Sequence, residues 1–175
     1  MKARGRSSSG RAEQRLQAAI AGAANIRLLD GDLSRDAYQR LVGSADVLLS
    51  LHRGEGFGLP MAEAMLRGKP VVATAWSGNL DFMDDASACL VPAGLVPVVD
   101  EAAAYRGEGG MWAEPDIAAA AAWLRRLRDP ALRLRIGCAA RETAVGRLGP
   151  AAFAASVVGG LEPPTQAAAH LPACE

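Results

Sequence analysis

The 175-residue chain predicts an α/β fold, a partial parallel sheet followed by C-terminal helices. Three observations predict it. Residues 46–51 and 71–74 are predominantly apolar runs, read as strands covered on both faces. Stretches with helical spacing lie before and between them, and strands alternating with helices imply parallel crossovers. Beyond Pro115 the strand pattern gives way to two helix signatures in tandem, each opened by Asp and Pro side by side.

Residues 13–23 read as a short Ala-rich helix and 25–29 as a strand. Ser34 caps the next helix, on which Ala37, Tyr38, Leu41, Val42 and Ala45 recur at helical spacing. Residues 46–51 form the first predominantly apolar strand, and a glycine-rich turn follows. Pro60 suits the first position of a helix that ends near Gly68. Lys69-Pro70 punctuates, residues 71–74 give the next strand, and Ser77-Gly78-Asn79 turns the chain toward a strand at 87–91. Residues 92–112, rich in Gly and Pro, read as a loop longer than an ordinary connection. Glu114-Pro115-Asp116 opens a helix through Arg128, Asp129-Pro130 resets it, and a second helix runs to about Arg147. A weaker helix is expected at 151–158, before a mobile tail that carries Pro163, Pro164 and Pro172. About four strands are few for a complete Rossmann-like sheet, so the sheet is expected to be partial. The domain reading is a basic flexible tail at 1–12, one domain at 13–148, and a weak helix with a mobile tail at 149–175.

The length suits one domain with a real core. Half of the residues are hydrophobic but only 5% are aromatic, so the core is expected to be aliphatic and Ala-rich. Formal net charge is zero and the pI is about 6.7, which argues against a nucleic-acid partner. Lys2, Arg4, Arg6 and Arg11 make the first residues basic, read as a solvated end. No apolar run approaches the roughly 20 residues of a membrane span. The N-terminus also lacks a signal-peptide stretch, so a cytoplasmic location is expected. Cys89, Cys138 and Cys174 are far apart and odd in number, which fits a reducing compartment. Cys138 and Cys89 fall in helical and strand patterns where buried thiols are ordinary. His52 and His170 have no ligand-type spacing to a cysteine, so no metal site is expected.

The chemistry concentrates in one run, from His52 through Arg53, Gly54, Glu55, Gly56, Phe57, Gly58, Leu59, Pro60, Met61 and Ala62 to Glu63. Glu55 lies in the loop after an apolar strand, where open α/β sheets bind ligands. Glu63 lies about one turn into the following helix, so its side chain can point back toward the helix start. Gly56 and Gly58 leave room for a ligand to approach the backbone, and Phe57 between them can brace the turn. The N–H groups around Gly58, Leu59 and Met61 and the helix dipole favour an anion such as a diphosphate. Two carboxylates suit the hydroxyls of a sugar. A nucleotide-sugar offers both. Taken singly, the glycines read equally as an ordinary turn, Glu63 as a solvated helix residue and His52 as a packed loop histidine.

The stretch from Glu55 to Met65, with Gly68-Lys69-Pro70-Val71-Val72-Ala73-Thr74, resembles the C-terminal nucleotide-sugar-binding domain of GT-B glycosyltransferases. More narrowly it resembles group 1, or family 4, of the retaining enzymes. Ser50-Leu51-His52-Arg53, the run from Ser77 to Met83, and Trp112-Ala113-Glu114-Pro115-Asp116 resemble a bacterial subgroup attached to surface-polysaccharide synthesis. The resemblance covers residues 25–145. It implies that Glu55, as the catalytic-site acid, bonds hydroxyls of the donor sugar. It implies that Gly56, Phe57 and Gly58 give the sugar and β-phosphate close backbone contact, and that Glu63 accepts from the ribose. Leu59 at the helix start helps to hold the departing diphosphate. His52 and Arg53 are expected as polar donor contacts, and Asp46 as structural. The implied chemistry is hexosyl transfer from a nucleotide-sugar to a glycan or other acceptor with retention, with no metal and no cofactor beyond the co-substrate.

A complete enzyme of that family also has an N-terminal Rossmann domain and, before the segment matched here, an Arg- and Lys-bearing loop that clamps the diphosphate. Neither is visible in this sequence. Two readings stay open: a transferase part that works with a missing N-terminal half, or a non-catalytic nucleotide-sugar-binding remnant or interaction module. A sugar-nucleotide epimerase of similar fold fits the motifs less well.

Overall fold

The computed structural model describes residues 9–29, 31–99, 109–152 and 154–155. Its first helix, α1 (Ser9–Ile20), starts ahead of the expected residue 13 and takes in the end of the segment read as a flexible tail. Residues 1–8 lie outside the described ones. Residues 25–29 do not form the expected strand. Their apolar side chains stay open, with Ile26 and Leu29 each 50% exposed. A strand needs a neighbour for its N–H and C=O groups, and no strand pairs with this segment among the described residues.

Helix α2 (Arg35–Ser44) begins as expected at Ser34, whose hydroxyl accepts from Ala37 N at 3.2 Å. Then come β1 (Leu48–Ser50), α3 (Leu59–Leu66), β2 (Val71–Thr74) and β3 (Cys89–Val91). The three strands form a parallel sheet in the order β1-β2-β3, with Leu49 opposite Val72 and Val72 opposite Cys89. All four residues of β2 are buried, as its unbroken apolar pattern requires. Val71 and Ala73 point into a cluster with Val42, Met61, Met65, Phe82 and Ala140. Val72 points the other way, with Cys89, Val91, Ala120, Leu127 and Ile136. Helices thus cover both faces of the sheet, and β1 is an edge.

Residues 92–112 are not a plain loop. Strands β4 (Ala93–Pro97) and β5 (Met111–Pro115) pair antiparallel, with Val96 opposite Trp112. Pro92, Gly94 and Pro97 disguise the first strand in the sequence, and residues 100–108 lie outside the described ones. Pro115 closes β5, so the helix start moves to α4 (Ile117–Arg126), capped by Asp116 Oδ1 accepting from Ala119 N at 3.0 Å. Asp129 caps α5 (Pro130–Leu148) in the same way through Ala131 N at 2.9 Å. Residues 150–152, 154 and 155 are helical, the beginning of the third helix expected from 151; the rest of that expectation, and the tail, fall outside the described residues.

Helix α5 crosses α3 where Gly137 meets Gly68. A Cβ on Gly137 would sit 2.1 Å from the Gly68 carbonyl oxygen, so only glycine permits this approach. Gly68 ends α3 at φ +67, where an L side chain is strained, and its N–H bonds Met65 O at 2.8 Å. Cys89 is buried, which pushes its thiol up to about 11 and leaves it unreactive. Cys138 is exposed, contrary to the buried thiol its helical pattern suggested, because it lies on the outer side of α5.

Candidate functional site

The glycine-rich loop runs from the C-terminal end of β1 to the start of α3. Gly58 caps α3 at φ +93, ψ +41, in the left-handed region that glycine reaches without cost. A Cβ there would also meet Met61 Cε at 2.7 Å. Helix α3 starts at Leu59, so Pro60 takes its second position and not its first. The N–H groups at this end are not all open. Met61 N donates to Gly58 O at 2.9 Å and Ala62 N donates to the same oxygen at 3.0 Å, so the expectation of a free Met61 donor is corrected. Tightening of the first helical turn is the cause. Leu59 is 65% exposed at this end.

A second segment braces the loop. Ser77 Oγ donates to Glu55 O. Gly78 opens a 3₁₀ turn (Gly78–Asp81) pressed so closely on the loop that a Cβ would lie 1.8 Å from Gly56 O. Ser77 holds φ +79, a strained value for a side-chain-bearing residue, to deliver that contact. Phe57 rests on the buried ring of Phe82, with centroids 5.1 Å apart and planes tilted by 38°. Phe57 therefore braces the turn as expected. Gly56, by contrast, has open space where a Cβ would be.

His52 ties the two segments together. Its Nε2 lies 2.9 Å from Trp76 O and 3.1 Å from Asn79 Oδ1, both acceptors, so Nε2 carries the hydrogen. Nδ1 then accepts from the Ser50 hydroxyl at 3.2 Å. Asn79 is fully buried and donates from Nδ2 to Thr74 O at 3.1 Å, which orients its amide. Arg53 performs the same service toward the hairpin. It pairs with Glu114, lies 4.8 Å over the Trp112 ring, and its carbonyl accepts from Ala113 N at 2.9 Å. The residues expected as donor contacts thus engage the protein itself. Among the described residues Asp46 makes only a long ion pair with Arg133 at 3.9 Å.

Glu55 is half-buried, and among the described residues its carboxylate takes no hydrogen bond. Glu63, also half-buried, accepts from Gln39 Nε2 at 3.4 Å, and the Tyr38 phenol lies near enough to feel its charge. Burial and the Glu63 charge both hold the Tyr38 phenol above its ordinary 10.0. An open groove of about 440 Å³ runs along α3 to the end of α5, and Phe57, Leu59, Glu63 and Leu66 line one side of it. Arg147, Leu148 and Ala152 line the other, with Arg147 held 2.6 Å from Asp84. Phe57, Leu59 and Glu63 share this groove; Glu55 is not among its lining residues. Sequence reasoning missed Tyr38 and Gln39, which carried only a helix-periodicity signal. It marked Ser77-Gly78-Asn79 as a turn without foreseeing its contacts. Among the described residues no group of three His, Cys, Asp or Glu side chains gathers as for a metal, and no helix is long and apolar enough to cross a membrane.

A family model described as glycosyl transferases group 1 matches residues 5–105, more than half of the chain. No curated protein matches the sequence. Among solved structures, sucrose-phosphate synthase from Thermosynechococcus elongatus is similar in fold, with a TM-score of 0.61 at 23% identity. The match covers 87% of this chain and 34% of that one, so the chain spans about a third of its length. That likeness bears out the α/β fold with a partial parallel sheet flanked by helices.

Proposed function

The chain belongs to the group 1 glycosyl transferases, and from that premise we propose that the Gly-rich loop and α3 form the donor half of a glycosyl-transfer site that binds a nucleotide-sugar. The observation that carries the reading is the shared groove, which brings Glu63 together with Phe57 and Leu59 at the start of α3. In this reading the Gly56–Gly58 backbone and the Leu59 end of the helix face the diphosphate, where N–H groups and the helix dipole oppose its charge. Glu63 accepts from the ribose hydroxyls and Glu55 from those of the sugar. His52 and Arg53 hold the loop in place of touching the donor. Transfer is of a hexosyl group with retention, to a glycan or other acceptor, in cytoplasmic polysaccharide or envelope-glycan synthesis. No metal is assigned. An acceptor-binding half is the proposed partner of this donor half.

Calorimetry with a nucleoside diphosphate and the corresponding nucleotide-sugar tests the reading. Binding of both is expected. Glu63→Ala weakens both ligands, whereas Glu55→Ala weakens mainly the sugar-bearing one. No detectable heat at millimolar ligand removes the donor site, and equal losses for both ligands in both variants contradict the separate roles.

A further inference from the structure

Glu63 does not stand alone on α3. Two consecutive residues of α2 stand at its carboxylate: Gln39 donates from Nε2 at 3.4 Å, and the Tyr38 phenol lies beside it. The Tyr38 ring packs against the cluster that contains Val42, Met61 and Met65, so it is anchored while its hydroxyl reaches outward. Both groups are uncharged. Arg67, one turn along α3, gives its Nη1 to the Glu63 backbone carbonyl at 2.8 Å. The carboxylate is therefore oriented by neutral groups that leave its charge in place. A carboxylate offers about four lone-pair sites, and the Gln39 donor with the Tyr38 phenol beside it leaves at least about half of them for a ligand, which is what a vicinal diol requires.

We propose that Tyr38 and Gln39 are positioning residues that hold the Glu63 carboxylate where it accepts both hydroxyls of a vicinal diol, so that α2 sets a preference for ribonucleotide over deoxyribonucleotide ligands. The inference rests on the reading of Glu63 as the ribose acceptor. Glu63 both lines the groove and meets Gln39 of α2.

The experiment is calorimetry of the full chain with uridine diphosphate and with 2′-deoxyuridine diphosphate, the fold of each variant being checked by circular dichroism. The wild-type chain is expected to favour the ribonucleotide by about tenfold, the effect of a hydrogen bond to a charged group. Tyr38→Phe, which keeps the ring, and Gln39→Met each reduce that ratio severalfold while deoxynucleotide affinity is unchanged. Tyr38→Phe added to Glu63→Gln changes the ratio no further, an outcome that a merely structural role would not give. An undiminished ratio in both variants, or equal losses for the two ligands, overturns the positioning role and leaves the donor reading standing. A wild-type ratio of one overturns the ribose role of Glu63 and this inference with it. Failure of both ligands to bind removes the donor site altogether.

Discussion

Replacing Gly78 by Ala isolates the contact that braces the glycine-rich loop. The backbone of Gly78 is not in the left-handed region, so alanine is conformationally acceptable there and only space opposes it. The added Cβ would lie 1.8 Å from Gly56 O, 2.8 Å from Gly56 C and 3.2 Å from Phe57 Cα, all backbone atoms that cannot rotate away. Overpacking of this kind costs about 1–3 kcal/mol, and the stiffer unfolded chain offsets about 0.4–1 kcal/mol. A contact far inside van der Waals distance places the first effect at its upper end, for a net loss of about 2 kcal/mol. The control is Gly56→Ala, where nothing lies within 4 Å of the new Cβ. Urea unfolding should show Gly78→Ala destabilised and Gly56→Ala close to wild type. Nucleoside diphosphate calorimetry should show weakened binding in both, through a displaced loop in one and a crowded ligand in the other. A Gly78→Ala chain with wild-type stability and affinity would refute the bracing role.

Three further outcomes follow from the same contacts. His52→Phe removes the bonds to Ser50, Trp76 O and Asn79 and leaves the buried Asn79 carbonyl without that donor; a loss of about 1–3 kcal/mol in urea unfolding is expected, and an unchanged midpoint counts against the strut. Thr74 is fully buried and its Oγ1 has no hydrogen-bond partner among the described residues, so Thr74→Val should raise the thermal midpoint by relieving an unmet desolvation cost of about 1–3 kcal/mol; a lower midpoint shows that the hydroxyl is satisfied. The Ser87 hydroxyl, 2.7 Å from Asp84 Oδ1, is the main influence holding that carboxyl below its ordinary 3.8, with Arg147 adding to it. A depressed carboxyl pKa contributes stability above the unfolded value that is lost as pH falls through the folded one. Ser87→Ala should therefore move the Asp84 titration upward in carboxyl-detected NMR, and no movement contradicts the assignment.

Much of the frame was legible in the chain itself. The apolar runs placed β1 and β2, but only β2 is covered on both faces as that pattern predicts; β1 lies at the sheet edge with Leu49 46% exposed, because no strand or helix closes over its outer side among the described residues. Ser34, Asp116 and Asp129 announced helix starts because their short side chains satisfy N–H groups that no helical carbonyl can reach. Glu55, Gly58 and Glu63 stood out because a glycine-rich turn and two acids at a strand-to-helix junction have few uses.

Other features came from pairing between distant segments. Residues 25–29 carry a strand's side chains, yet a strand also needs a neighbour, which no local pattern records. The β4–β5 hairpin hid behind Pro92, Gly94 and Pro97 because antiparallel pairing is decided by the partner strand. The sequence by itself determined the α/β class, the order of its main helices and the position of the glycine-rich turn, all consequences of short-range periodicity and capping. Only the tertiary structure decided that His52 and Arg53 bond to distant segments, that Gly78 is more tightly constrained than Gly56, and that Gln39 reaches Glu63. Those relations join residues 22 to 61 positions apart, and such distances are closed by packing of whole elements, which no single stretch of chain encodes.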